Sequence, residues 1–158
     1  MRSFKSVGIT QEDVTQQTQA VAPTPIPIGI ITPLQLGSND EGLLAMSYDV
    51  GQQLRNNLRD LIMTNWGERL AVYDFGANLT PLTAEYERYG KDGFDNIAMQ
   101  RIMNAVKKYM PYVELESFDS QRTYSQELGQ GNVVVIIDYT IPRANVAKTR
   151  LQINFVVV

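Results

Sequence analysis

Apolar residues recur at helical spacing in the first half of the chain. Between residues 46 and 65, they occupy every third or fourth position and alternate with polar residues. This period places them on one face of an amphipathic helix. Asn65 and Gly67 tolerate left-handed backbone conformations and are suited to ending it. The pattern predicts a first helix over residues 46–65, with an apolar face made of Met46, Val50, Leu54, Leu58, Leu61 and Ile62.

A second helix is expected between residues 95 and 110. Asp95 is suited to the N-cap, and Phe94 and Met99 flank it at the spacing of a hydrophobic staple. Pro111 cannot continue a helix, so the element ends there. The predicted apolar face consists of Met99, Ile102, Met103, Val106 and Met110.

Beyond Pro111 the pattern changes to strands, over residues 112–119, 133–141 and 151–158. A glycine-containing segment, 126–132, and a basic segment, 143–150, are expected to connect them. Helices followed by strands indicate an α+β fold, with two main helices packed on a small, mainly antiparallel C-terminal sheet. The middle strand is apolar on both faces. We therefore expect the helices to cover one face and a partner or the N-terminal segment to cover the other.

Residues 1–40 are interpreted as an extended N-terminal arm, and residues 41–158 as a single domain. The first 22 residues are rich in Gln and Thr and show no periodicity. Pro23, Pro25 and Pro27 follow at alternate positions and favour an extended path. Two interpretations stay open: a linker or strap over the chain's own domain, and a clasp on a neighbouring protein.

Composition narrows the classes of function. The chain has 14 Lys and Arg against 17 Asp and Glu, a net charge of −3, so it lacks the basic excess that phosphate backbones attract. It has no cysteine and no histidine, which removes thiolate chemistry, the usual zinc ligands and His-based triads. Its apolar runs are too short to span a bilayer. We expect no nucleic acid, no membrane, no metal and no cofactor.

The last predicted strand is a candidate binding site, because it finishes on three valines and has no charged residue there to discourage pairing with another strand. It is either internal to the sheet or an open edge to which another protein adds a strand. In the second case main-chain bonds provide the register, and side chains such as Phe155 and Val157 fill pockets of the partner. Arg143, Lys148 and Arg150 nearby either steer an acidic partner or are simply solvated. The candidate pairing strand comprises Leu151, Ile153, Phe155, Val156, Val157 and Val158.

The segment after the first helix carries a motif. Gly67, Glu68 and Arg69 are followed, after five intervening residues, by Phe75 and Gly76. This Gly-Glu-Arg triplet and Phe-Gly pair resemble the signature of the sheath-initiator family, baseplate wedge proteins typified by the gene-25 product of T-even phages, with relatives in type VI secretion baseplates. The resemblance covers residues 28–158. The arm and residues 73–79 look most like versions from phages of cyanobacteria.

The resemblance implies a non-catalytic subunit of the virion tail baseplate, assembled in the host cytoplasm, that seats the first sheath ring around the tail tube. In the family, the loop contacts the wedge core bundle and the sheet pairs with arms of sheath subunits. The loop residues here would be Gly67, Glu68, Arg69, Phe75 and Gly76. Tail tube or hub proteins are further candidate partners. The simpler alternative for Glu68 and Arg69 is a local surface ion pair worth less than about 1 kcal/mol.

Two other classes of function are alternatives for this chain, a glycoside hydrolase and a protein-binding adaptor. Some relatives have carried a lysozyme description, and glycoside hydrolysis needs two carboxylates about 5–9 Å apart, here Glu68 and Asp74. Nothing in the sequence is placed to raise the pKa of Glu68, which argues against an enzyme. A protein-binding adaptor of the same architecture is the other alternative, because one fold hosts unrelated binding functions.

Overall fold

Helices occupy the first part of the chain and a three-stranded sheet the last part. The computed structural model describes residues 26–38, 42–125, 130–144 and 146–157. The fold is α+β, as predicted. In chain order the elements are β1 (Gly29–Ile30), β2 (Met46–Ser47), α1 (Val50–Met63), α2 (Thr80–Ala84), α3 (Tyr86–Tyr109), β3 (Glu114–Ser125), β4 (Gln130–Ile141) and β5 (Val146–Val157). None of the helices in these ranges is long and apolar enough to cross a bilayer.

The three long strands form an antiparallel meander in the order β3-β4-β5, which confirms the predicted sheet. Each strand is longer than the sequence pattern indicated, and β5 begins at Val146, after the short 3-10 turn Pro142–Ala144. The register is regular except for an irregularity between Leu115 and Ser117 and another between Tyr139 and Ile141. Within the described chain, β3 and β5 are therefore the two edges of this sheet.

The core lies between one face of the sheet and the helices. From Val133 to Ile141, every second residue of β4 points inward and is no more than 1% exposed, and β5 adds Leu151, Ile153 and Phe155. α3 packs against β3, while α1 and α2 pack against β5. The inward residues of β4 are Val133, Val135, Ile137, Tyr139 and Ile141.

The opposite face of the sheet differs from two expectations: that the middle strand is apolar on both faces, and that residues 143–150 form a basic connection. It is not uniformly apolar, because Val134 and Ile136 are half-buried there beside the buried carboxylate of Asp138. Arg150 Nε donates to that carboxylate over 2.8 Å, and Ser117 Oγ donates over 3.0 Å. Arg150 thus lies in β5 and not in a basic connection. Lys148 is also a β5 residue and forms an ion pair with Glu116 at 2.6 Å.

The first helix is shorter than predicted at both ends. It begins at Val50, because the side chain of Asp49 accepts a hydrogen bond from the Gln52 amide over 2.7 Å and caps the helix there. Met46, which the periodicity assigned to the helix, pairs in β2 instead. The helix ends at Met63, since the backbone of the next residue is already extended.

The second predicted helix starts earlier and faces the core differently. α3 begins at Tyr86 and is interrupted at Gly90, whose backbone is not helical. Asp95 lies inside the helix and accepts a hydrogen bond from Ser120 of β3, so it is not an N-cap. Met99 and Met103 are 41% and 52% exposed, contrary to the prediction. The buried face is instead Phe94, Ala98, Ile102, Ala105 and Val106, a stripe that starts at the residue directly before the predicted cap.

The segment before α1 forms a narrow ribbon of extended chain. The Ile28 amide donates to the Ser47 carbonyl over 2.8 Å, and the Ile31 amide donates to the Ala45 carbonyl over 3.0 Å. A single bridge joins Leu36 and Leu44. Residues 26–38 therefore pair with residues directly before α1, while residues 1–25, 39 and 40 of the predicted arm lie outside the described part of the chain. The division at residue 40 and the clasp stay predictions.

We predict that Asp138→Asn makes the stability of the fold less dependent on pH in the acid range. Arg150 and Ser117 hydrogen bonds lower the pKa of Asp138 from 3.8 to about 2. A group whose pKa is lower in the folded state stabilises the fold above its ordinary pKa, and this contribution is lost as the pH falls through about 2. The variant should show a lower Tm at pH 7, and a smaller fall in Tm between about pH 4 and pH 2.

Asp119→Asn is the control, because Asp119 of β3 lies on the same sheet and its carboxylate pairs with Lys91 of α3, but it is 47% exposed. Its effect should be smaller, since solvent and salt screen exposed pairs. Equal acid limbs for Asp138→Asn and the unmodified chain would show that the Asp138 pair contributes nothing measurable.

Candidate functional site

The predicted motif lies in a loop, residues 64–79, that joins α1 to α2. The Ala77 amide donates to the Leu61 carbonyl over 3.1 Å, and the Gly67 amide donates to the Tyr73 carbonyl over 2.7 Å. Gly76 has φ of +108°, and a Cβ atom there would lie 2.1 Å from the Thr64 carbonyl oxygen. Only glycine fits this position, because both the backbone conformation and the close approach exclude a side chain. The loop is thereby anchored against the end of α1.

Glu68 is used inside the loop. Its carboxylate accepts hydrogen bonds from the Asn65 amide over 2.8 Å and from Asn65 Nδ2 over 2.7 Å. These bonds lower the pKa of the Glu68 carboxyl, because they favour its charged form. Asn65 Oδ1 in turn accepts from the Thr80 amide over 3.2 Å and ties the loop to the start of α2. Glu68 therefore organises the loop and does not pair with Arg69 among the described residues.

Arg69 stacks on an aromatic pair. The guanidinium carbon lies 3.8 Å from the centre of the Phe75 ring, and that ring lies 4.8 Å from the ring of Tyr109 in α3. The Tyr109 hydroxyl donates to Asp74 over 2.8 Å, and Lys108 forms an ion pair with the same carboxylate. The hydrogen bonds from Lys108 and Tyr109 lower the pKa of Asp74. Tyr109 of α3 thus supports the stack of Arg69 on Phe75.

A second arginine supports the far side of the loop. Arg101 of α3 donates to the Asn78 carbonyl over 2.5 Å, and the indole nitrogen of Trp66 donates to the Gly76 carbonyl over 3.1 Å. The side chains at the tip of the loop, residues 70–73, take no part in these contacts. Leu70 is 98% exposed and Tyr73 is 73% exposed.

The structure brings together the five residues that the motif predicted, and these residues have different structural roles. Gly76 and Phe75 anchor the loop, Gly67 and Glu68 shape it, and Arg69 faces outward. Sequence reasoning missed the residues of α3 that brace it, Arg101, Lys108 and Tyr109. They are more than twenty positions away along the chain, and no local pattern links them to the loop.

The predicted pairing strand corresponds to the second half of β5. Leu151, Ile153 and Phe155 are buried in the chain's own core. The expectation that Phe155 fills a pocket of a partner is therefore wrong, because strand alternation turns it inward. Val156 is 58% exposed on the opposite face. Val157 ends β5, but its side chain lies outside the description, as does the whole of Val158.

The two carboxylates considered for hydrolysis are not tuned for it. A general acid needs a raised pKa at neutral pH, whereas the pKa of Glu68 and that of Asp74 are both lowered. Each carboxylate is also committed to local hydrogen bonds. The described residues contain no cluster of His, Cys, Asp and Glu that could hold a metal ion.

No protein-family model and no curated protein matches the chain. Among solved structures, a crystal structure from Geobacter sulfurreducens, provisionally described as a tail lysozyme, is 17% identical with a TM-score of 0.51, and the match covers 70% of this chain and 93% of that one. The two chains share a fold. This similarity agrees with the α+β architecture expected from the sequence.

Two further solved structures are similar to a lesser degree. The anti-feeding prophage baseplate has a TM-score of 0.49 at 17% identity, over 81% of this chain and 82% of that one. The baseplate complex of a type VI secretion system has a TM-score of 0.41 at 16% identity, over 69% of this chain and 94% of that one.

We predict that Gly76→Ala destabilises the loop more than Gly67→Ala. Both glycines have positive φ, so both variants carry backbone strain of about 1–3 kcal/mol. At Gly67 a Cβ would meet only the Tyr73 ring, at 3.2 Å, and that exposed side chain can move. At Gly76 it would meet the Thr64 carbonyl, which cannot. Urea unfolding and amide exchange of residues 64–79 measure the difference, and equal losses in the two variants would contradict the close approach.

Proposed function

We propose that this chain is a non-catalytic subunit of a contractile injection-system baseplate. It joins the wedge to the sheath and templates the first sheath ring by strand addition to β5. The observation that carries the proposal is the open, uncharged second half of β5 at the edge of the sheet. The shared fold and the Gly-Glu-Arg motif support the baseplate assignment.

The two edges of the sheet differ in how they resist pairing. β3 carries Glu114, Glu116, Asp119 and Arg122 along its length and has an irregular register near its start. Charges and bulges of this kind discourage the addition of a further strand. β5 carries its charges, Lys148 and Arg150, only in its first half, whereas the charges of β3 extend to Arg122 near its end. From residue 151 onward it has no charged side chain. β5 is therefore the edge suited to receive a partner.

Because the inward side chains of β5 are already buried, a partner strand would be recognised mainly through the main chain. Main-chain hydrogen bonds give order and register without demanding a particular side-chain sequence. Such pairing suits a template, since each added strand presents a new edge of the same kind. Val156 provides an apolar contact on the outer face beside the added strand.

The loop at Arg69 is the second attachment point, toward the wedge core-bundle proteins. It is rigidly anchored, and it presents a cation and an exposed apolar tip, as an interface element does. Tail tube and hub proteins are further candidate neighbours. The site of action is the tail baseplate of the virion, with assembly in the host cytoplasm.

Cryo-electron microscopy of assembled particles tests this function directly. We expect density for this chain between the baseplate and the first sheath ring, with a strand of a sheath subunit beside β5. Absence of the chain from particles would overturn the proposal, and a soluble complex with one cellular protein would then favour the adaptor alternative.

We predict that Val156→Lys blocks growth of the sheath, whereas Thr123→Lys does not. The two residues lie opposite the same β4 residue, Asn132, on the two edges of the sheet, so the variants place the same charge at the same level. A lysine at an open edge opposes strand addition. Counting sheathed tails by electron microscopy distinguishes them, and circular dichroism checks folding. Normal tails with Val156→Lys would exclude this edge, and loss only with Thr123→Lys would assign the pairing to β3.

A further inference from the structure

Residues 26–38, which we call the flap, are held to the rest of the chain mainly by main-chain hydrogen bonds. Near one end the Ile28 amide donates to the Ser47 carbonyl over 2.8 Å, and near the other the Gly37 amide donates to the Leu43 carbonyl over 3.1 Å. The flap contains no charged residue, so its side chains form no ion pair. Because water replaces a main-chain hydrogen bond that opens at the surface, each such bond contributes little net stability.

The apolar side chains of the flap add little to its attachment. The hydrophobic effect is proportional to the apolar area that is removed from water, and the large aliphatic side chains here stay partly or largely in water when the flap is closed. Opening the flap therefore loses little apolar burial. The five residues that are each at least 39% exposed are Ile26, Ile28, Ile30, Leu34 and Leu36.

Polar side chains of α1 lie beneath the flap. A Cβ atom on Gly29 would lie 2.6 Å from Gln53 Oε1, so the flap backbone rests against this amide. Asn56 lies three positions after Gln53, on the same side of the helix, and is only 8% exposed. Gln53 Oε1, Asn56 Nδ2 and Thr32 Oγ1 of the flap are buried and have no hydrogen-bond partner among the residues that the structure describes. A buried polar atom without a partner costs its full desolvation, and opening the flap would return that cost.

We propose that the flap opens as a unit while the helices and the three-stranded sheet stay folded. Opening replaces the main-chain bonds between the flap and residues 43–47 with bonds to water, and it hydrates the three unpaired polar atoms. It leaves the core against β4 untouched, so its free-energy cost lies far below that of global unfolding.

The open form bares the main-chain edges of the flap and of β2. A neighbouring chain that binds either edge would hold the flap open, because binding to one form shifts the equilibrium toward it. The opening itself is a property of the isolated chain and does not rest on the proposed function.

Native-state amide exchange of the full chain, followed by NMR at low urea concentrations, tests the proposal. The Ile28, Ile31 and Gly37 amides report on the flap, whereas the amides of β4 report on global unfolding. We expect the three flap amides to have protection factors within about threefold of one another, at least about 100-fold below those of β4 and almost independent of urea. Protection that is graded along the flap, or equal to that of β4, would overturn the proposal.

Two variants test whether the unpaired polar atoms favour the open form. Asn56→Leu and Thr32→Val each remove one such atom and keep a side chain of similar size, so each should raise the protection of the flap amides about tenfold. Asn57→Leu is the matched control, because Asn57 is exposed and already accepts a hydrogen bond from Gln53 Nε2 over 3.0 Å. It should not raise flap protection.

The contrary outcomes of the variants are equally definite. Unchanged or lower flap protection in Asn56→Leu and Thr32→Val would show that these atoms are satisfied in the closed form, for example by bound water, and would overturn the proposal. An equal gain in Asn57→Leu would attribute the effect to the helix propensity of leucine and would overturn it as well.

The outcomes separate this proposal from the proposed function. A chain whose flap opens in solution but that is absent from particles would retain the flap and lose the baseplate role. A chain found between baseplate and sheath whose flap amides exchange with those of β4 would retain the role and lose the flap.

Discussion

Burial of one whole face of β4 is the constraint on which the rest of the structure depends. Its inward side chains leave almost no surface exposed, so the helices must cover them for their full length. Because β4 is central, β3 and β5 become the edges and their inward residues join the same core. This arrangement decides what a partner can use. The apolar alternation of β5 serves internal packing, and only its main chain and outer-face side chains remain for recognition.

The loop after α1 depends on a second constraint, the close approach of Gly76 to the end of that helix. This contact turns the chain so that Phe75 reaches Tyr109 of α3, and Phe75 then supports Arg69. Two adjacent charges consequently have different surroundings. Glu68 turns back to Asn65 and stabilises the loop, whereas the guanidinium of Arg69 stacks on Phe75 at the border of a cleft. An adjacent acid and base in a sequence need not form a pair.

The two candidate surfaces offer directional interactions. β5 has main-chain donors and acceptors at an edge, and the loop has a guanidinium fork held on an aromatic platform. Directional contacts define register and orientation, which an ordered assembly needs more than it needs large apolar area. The fold is shared with a protein only 17% identical in sequence, so the fold alone does not fix these surfaces. Their function has to be argued from the residues that line them.

Periodicity, turn residues and the motif determined the existence of both main helices, the three-stranded meander and the position of the loop, because these follow from local patterns of burial and backbone preference. The ends of the helices and the residues on their buried faces were harder to predict from the sequence. Asp49 took the cap that shortened α1, and contacts with β3 drew Asp95 into α3 and left Met99 and Met103 exposed. The edge position of β5, the inward direction of Phe155 and the bracing of Arg69 by Tyr109 were decided only by tertiary structure. Each depends on residues distant in the chain that meet when the core closes, and no local pattern records that meeting.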